Sequence, residues 1–568
     1  MMPGPGIEKT ASLRFGVMCS GPAFQRWQAD ALNQLAARGH QLVLLIVNPE
    51  KAPELSRLKK FLNRRWSVFL FTFLENRFFK PDARKISDME RELAGVGVIR
   101  CRVDKKGYSE YFSENDIKAI GEFRLDFILR FGFNIIRGDI LTAARYGVWS
   151  FHHDDELCYR GGPAGFWEIF NGDPVSGAVM QRLTHKLDGG IILKKGYLKT
   201  MNHSYRGNLE QLLSVTSSWP ALVADTIASQ PAAGYTVSDT AAPVYKLPGN
   251  LVMARFLLKL LLNRIRFYKT DLFCAEDWNI AVIGRPIQKV AMEAGNLKEA
   301  DISWLPAHPR NIYLADPSGF LENGKLHILA EEYNYAAQKA CVSEIRLPAR
   351  AGALPPVRVI DSDRHLSYPY VIEHGGEVYC LPESYQSGSI TLYRRDPSTG
   401  KFAAVKTLVE NAKAVDPTLF FYNGYWWLFY TTRQYSNSHL FISYATELEG
   451  EYKPHGSNPV KIDVRSARPA GTPFIHNDIL FRPAQDCSVT YGGRVVINRV
   501  TKLTVRDFAE EVSSTVEPLP GTAYGKGLHT LSGVGDVTLV DGKRYVFNLR
   551  FFMNQLKQKL AKTDRGNV

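Results

Sequence analysis

"ADPSGFLENGKLHILAEE" (315–332), "SYPYVIEHGGEVYCLPES" (367–384) and "VDPTLFFYNGYWWLFYTT" (415–432) share one pattern: a proline, an apolar strand, a two-residue turn and a second apolar strand. Their prolines, Pro317, Pro369 and Pro417, lie 52 and 48 residues apart. A diverged copy, "TPFIHNDILFRPAQDCS" (472–488), and a last one, "GDVTLVDGKRYVFNL" (535–549), make five. Asn323-Gly324, Gly375-Gly376, Asn423-Gly424 and Asp541-Gly542 tolerate positive φ and predict tight hairpin turns. A period of about 50 residues, with two evident strands and room for two more, has the size of a propeller blade. The expectation for residues 301–568 is an all-β five-bladed propeller.

The preceding residues carry a different rhythm. "LRFGVMCSG" (13–21) reads as a buried strand, "FQRWQADALNQLAARG" (24–39) as a helix stopped by glycine, and "HQLVLLIVN" (40–48) as a second strand. "LDFILRFGF" (125–133) and "YGVWSFH" (146–152) continue the series. Residues 1–230 are therefore expected to form an α/β Rossmann-like domain, with ligands beyond the carboxyl ends of its parallel strands. "GVMCSGPAF" lacks GxGxxG, so a nicotinamide cofactor has no support. Residues 231–300 read as a connector.

Composition narrows the function classes. The chain has 568 residues and a net charge of +13, which favours anionic partners without choosing among them. Its seven cysteines include no CxxC pair, so neither a disulfide framework nor a zinc cluster is indicated, and a cytoplasmic location is expected. The first residues lack the pattern of a signal peptide. "LVMARFLLKLLLNRIRFY" (251–268) carries Arg255, Lys259, Arg264 and Arg266, so it reads as a helix that either docks between domains or lies peripherally at the inner membrane face. "RLKKFLNRRWSVFLFTFLENRFFK" (57–80) has the same character.

One charged stretch, "SFHHDDELCYRGGP" (150–163), invites a chemical reading. His153, Asp154 and Asp155 lack HxH or HxxxH spacing and point alternately, so no metal site is expected. The surrounding segment 130–193, with FGF, a histidine strand, YRGGP, NGD and LDGG in that order, resembles the core of the formyltransferase family, which includes sugar N-formyltransferases. The resemblance implies 10-formyltetrahydrofolate as donor and transfer of its formyl group to the amine of a nucleotide- or lipid-linked amino sugar, in surface glycan biosynthesis. It also implies that His152 moves protons and stabilises an oxyanion, that Asp188 orients that imidazole or binds the donor's ordered water, and that Ser150 stands where the family has asparagine. Asn134 is a candidate to reach into the same site, His153 and Asp154 either to contact substrate or to be solvated, and Arg160 either to pin an anion or to brace the loop. Gly161, Gly189 and Gly190 are assigned close backbone approach to the donor. No match to an RNA-binding domain follows, so nucleic acid is not an expected partner. The alternative is a catalytically impaired module attached to a working propeller.

The repeats resemble the propeller of family 43-type glycoside hydrolases. They resemble more closely the N-terminal domain of plant glucosamine inositolphosphorylceramide transferases, through "SYPYVIEHGGEVYCLPES", "VDPTLFFYNGYWWLFYTT" and "RPAQDCSVTYGG". The fold resemblance implies that Asp316, Glu383 and Asp416, joined by Arg482 and Asp486, converge on the axis as a carbohydrate-processing site. The competing view is that ADP and VDP are turns that every blade needs. Trp426, Trp427 and Tyr430 serve either to stack on sugars or to fill the blades.

Overall fold

The computed structural model describes residues 11–49, 66–186, 189–230, 234–293, 301–309, 311–347, 355–519 and 521–565. Two compact units divide the chain, Met1–Arg264 and Ile265–Val568.

The first unit is built on one eight-stranded sheet. Five strands, Arg14–Cys19, Gln41–Val47, Gly97–Arg100, Phe127–Arg130 and Val148–His152, run parallel at its core. Their apolar runs are buried because helices cover the sheet, as parallel strands require. Val175–Arg182, Ile191–Lys199 and Thr236–Val237 then extend the sheet antiparallel. Val148–His152 pairs directly with Val175–Arg182, so after the parallel strands the chain returns beside itself, an extension that the strand pattern in the sequence does not include. Gly161 shows how tightly a side branch is tied on. Its φ is +89°, and a Cβ there would lie 2.1 Å from the Tyr245 carbonyl oxygen, so only glycine lets Arg160–Gly161 pair with Val244–Tyr245. Gly161 and Arg160, which also donates to the Ala242 carbonyl, therefore hold backbone together.

The second unit consists of five consecutive antiparallel sheets, each built on a four-strand path. Its hairpins follow the repeats: Ile312–Glu322 with Lys325–Asn334, Ser367–His374 with Glu377–Glu383, and Ala414–Tyr422 with Tyr425–Thr432. The fourth has a short first strand, Phe474–His476, before Ile479–Asp486, with Asn477 and Asp478 both at positive φ in the turn. The remaining sheet joins the two ends of the unit, because Ala275–Ile283 pairs along its whole length with Val537–Val546. The sequence places 275–283 in the connector, and the pairing moves it into the sheet.

Asp541-Gly542 is likewise not a turn. It lies inside strand Val537–Val546, where a Cβ on Gly542 would sit 2.4 Å from the Trp304 ring, and the hairpin turns instead at Gly535-Asp536. The glycine marks close approach rather than a bend.

Helix Asn250–Phe273 spans the division between the units. Met253 and Phe256 bury one face in a cluster with Phe166, Tyr205 and Phe71. Leu251, Leu258, Leu261, Leu262 and Ile265 remain exposed. Among the described residues no helix is long and apolar enough to cross a membrane.

Candidate active site

Each of the first three repeat hairpins of the second unit contains the same irregularity. The strand register shifts between Ala315 and Ser318, Ser367 and Tyr370, and Val415 and Thr418. At these bulges Asp316, Tyr368 and Asp416 adopt φ of +50°, +43° and +48°, a region that costs a non-glycine residue free energy. The proline that follows each has no N–H to lose from the ladder, which is why the repeat begins DP, YP, DP. The bulge belongs to the scaffold, since Tyr368 has it too. What varies is the side chain it carries inward.

Asp316 and Asp416 are among five buried carboxyl groups gathered there with Glu331, Glu383 and Asp541. Glu331 and Glu383 occupy equivalent positions on the second strands of their hairpins. Arg468 grips Asp416 with two bonds, Nε to Oδ2 at 2.6 Å and Nη2 to Oδ1 at 3.1 Å, and Gln485 Nε2 donates to Oδ2 at 2.7 Å. The Asp416 amide donates to Glu383 Oε2 at 3.1 Å. On the other side His529 stacks on Trp278 at 3.9 Å, with Nδ1 2.5 Å from Asp541 Oδ2 and Nε2 3.4 Å from Asp316 Oδ1. Tyr491 packs against both cations, under the Arg468 guanidinium and edge-on to His529.

Five carboxyl groups cannot all ionise against two cations in a dry space. Burial, reinforced by Asp316, pushes the Glu331 carboxyl well above the usual range, and burial with repulsion from Asp416 does the same for Glu383 despite Arg468. Burial also raises Asp316, against the pull of His529. Burial opposes the His529 imidazolium, but Asp541 and Asp316 outweigh it and hold its pKa above the ordinary value. The site thus sets an arginine-clamped carboxyl group beside acids whose pKa values are raised, the division of labour that acid-assisted cleavage or formation of a glycosidic bond needs.

Among the described residues Asp316, His529 and Asp541 form the only group with spacing for a metal ion. Asp541 is already occupied: Oδ1 accepts from the His529 and Thr530 amides and Oδ2 from the Asp316 amide. The three form a hydrogen-bonded hub.

Two expected members do not join. Arg482 points between strands, gripping Glu510 at 2.6 and 2.9 Å and the Ser466 carbonyl, while Asp486 binds Arg494 and caps the Ser488 amide. Alternation explains both: Gln485 faces Asp416, so residues an odd number away face elsewhere. Trp426 and Trp427 lie in the blade cores, as does Tyr430. Sequence reading missed Glu331, Arg468, Tyr491, His529 and Asp541. The acid in AEE was the findable one, since it stands in its repeat where Glu383 stands in the next.

In the first unit the structure brings Ser150, His152 and Asn134 to one cavity of about 190 Å³, lined also by Arg130, Arg137, Gln181, Thr184 and Lys186. His152 donates its Nε2 proton to the Tyr159 carbonyl at 2.8 Å. Asp188 lies outside the described residues. Gly190 packs against Gln181, and Gly189 accepts from Thr184.

Of the two residues expected at the substrate, Asp154 is buried in the core and His153 is half-buried against aromatic rings. His153 stacks on Phe151 and bonds Thr216, and burial pushes its pKa down to about 3. Asp154 accepts from the Gly165 amide and packs beside Glu168. Asp155 and Glu156 share Lys195.

Residues 301–531 match the family described as glucosamine inositolphosphorylceramide transferase 1, N-terminal. A curated relative of that name from Oryza sativa subsp. indica is 30% identical over 210 residues, covering 36% of this chain and 28% of the relative. The chain thus spans under a third of that relative's length. Among solved structures, Zg3597, a family 117 glycoside hydrolase from Zobellia galactanivorans, aligns at 13% identity and TM-score 0.32 over 49% of this chain and 92% of its own. Glycinamide ribonucleotide transformylase 1 from Symbiobacterium toebii aligns at 16% identity and TM-score 0.28, over 40% and 94%. The curated relatives overturn the expected formyl transfer from 10-formyltetrahydrofolate: they are named for glucosamine and inositolphosphorylceramide, not for a one-carbon unit.

Proposed function

We propose that the second unit acts on a glycosidic bond of a lipid-linked glycan, with an amino sugar on an inositolphosphoryl lipid as the substrate class suggested by the names of the relatives. The observation that carries this reading is the buried set of five carboxyl groups around Arg468 and His529, three of them pushed upward and one clamped by the arginine. Glu383 donates its proton to the departing glycosidic oxygen, Asp416 faces the positive charge that develops on the sugar, and the hydroxyl of water or of an acceptor lipid bonds to the anomeric carbon and returns its proton to Glu383. Tyr333 and Tyr385, each two residues beyond a buried glutamate, are half-buried and supply stacking faces at that end of the hairpins. Helix Asn250–Phe273, with exposed leucines interleaved with Arg255 and Arg264, lies on the membrane surface that holds such a lipid.

The test is incubation of the purified chain with glucosamine-bearing inositolphosphoryl lipid in vesicles, plus unmodified lipid as acceptor, followed by mass spectrometry of the lipids. Turnover is expected, falling about 10²- to 10⁴-fold in Glu383→Gln with the fold retained. Sugar binding without any change in the lipid, equal in the wild type and the variant, would sink the enzymatic reading and leave a glycan-binding module.

A further inference from the structure

We propose that the cavity of the first unit is a binding site for a phosphate group. Its centre is Arg130, half-buried, with burial pulling its pKa down. Its Nε and Nη2 both donate to Ser150 Oγ, at 3.1 and 2.8 Å, and Nη1 donates to the Phe133 and Asn134 carbonyls at 3.3 and 2.7 Å. Every one of these acceptors is neutral. Among the described residues neither Arg130 nor Arg137 forms an ion pair, and no carboxylate lines the cavity. Glu110, which acts on Arg130 from a distance, spends Oε2 on the Asn134 amide. A buried guanidinium without a counter-ion costs several kcal/mol and is retained where a ligand supplies the charge.

Ser150 sharpens the assignment. A hydroxyl has two acceptor sites and one proton, and Arg130 fills both acceptor sites. The Ser150 proton is left to be donated, no acceptor for it is found among the described residues, and Ser150 lines the cavity. Two arginines without carboxylate partners and a polarised hydroxyl make a donor set for a dianion, and planar guanidinium groups match phosphate oxygens. At about 190 Å³ the cavity is smaller than the ~300 Å³ lower bound of ordinary small-molecule pockets, so it takes the phosphate and a small attached group. This assignment is independent of the sugar chemistry assigned to the second unit.

The experiment uses the full chain and isothermal titration with inorganic phosphate, inorganic pyrophosphate and myo-inositol 1-phosphate at about 150 mM chloride, where diffuse attraction to the surface is screened. One site per chain is expected. Preference for inositol phosphate over the inorganic ions identifies a lipid headgroup as the source, and the reverse order a free phosphate. Arg137→Gln should weaken binding at least tenfold. Ser150→Asp places a carboxylate against Arg130 and should abolish binding while raising the melting temperature, an outcome that a merely misfolded variant cannot give. Absence of saturable binding at 10 mM of each probe, or binding unchanged in both variants, would overturn the assignment.

Discussion

Among single residues, Asp416 and Glu168 illustrate the two ways a buried carboxyl group is managed. Asp416 carries the counter-charge of Arg468, so Asp416→Asn strands a buried guanidinium and should cost about 3–5 kcal/mol, read as a lowered melting temperature. Glu383→Gln should leave stability nearly intact, because the amide oxygen still accepts from the Asp416 N–H. Equal destabilisation by both would show that the cluster is held by packing rather than by charge. Among the described residues Glu168 has no cationic partner. Burial, joined by Asp173 and Asp155, pushes its carboxyl from 4.5 up to about 7. The folded state therefore binds this proton more tightly than the unfolded chain does, so the contribution is complete below pH 4.5 and lost as pH rises through about 7. Thermal melts should show roughly 3 kcal/mol of pH-dependent loss across that window, and Glu168→Gln should flatten it. How much of the site was legible follows from the same residues. Asp316, Glu383 and Asp416 stood out because they recur in register with the repeat. Arg468 and His529 sit in the loops "SARPAG" and "KGLHT", which carry no period, and Asp541 was disguised by a glycine neighbour that resembles a hairpin turn.

At the scale of elements, patterning decided which strands were found. The first three hairpins alternate and were read with their turns, whereas 275–283 lies between a long helix and a segment without period, so its partner 255 or more residues away gave no local signal. The formyltransferase-like order of motifs did locate a strand pair and a cavity, but order along the chain is set by the sheet and does not specify the chemistry carried there. Helix Asn250–Phe273 shows apolar residues on both faces, which a water-exposed surface helix avoids. If its outer stripe meets lipid, the full chain should float with vesicles rich in anionic lipid and detach as salt rises. The triple substitution Leu258→Gln, Leu261→Gln and Leu262→Gln should leave it in the dense fraction at an unchanged melting temperature, since all three side chains are exposed. Equal flotation of wild type and variant would remove the helix from membrane contact.

For the molecule as a whole, the decisive fact is that the second unit is closed by its two ends. Strand Val537–Val546 bridges Ala275–Ile283 and Leu531–Val534, and Asp541 on it anchors the amides of Asp316, His529 and Thr530. Stability and site assembly therefore depend on the same late segment. A chain ending at residue 530 loses that strand, exposes the full hydrogen-bonding edge of 275–283 and opens apolar residues such as Ile280 and Ile283 to water. A chain ending at residue 548 loses only helix Leu549–Arg565 and keeps every ladder bond of the closing sheet. The shorter chain should aggregate or lose the cooperative melt of the second unit, while the longer one should melt near the full-length value and retain sugar turnover. Near-equal melting of the two would mean that the remaining sheets hold together as an open array, in which case Asp541 is a local brace and the carboxyl cluster assembles without ring closure.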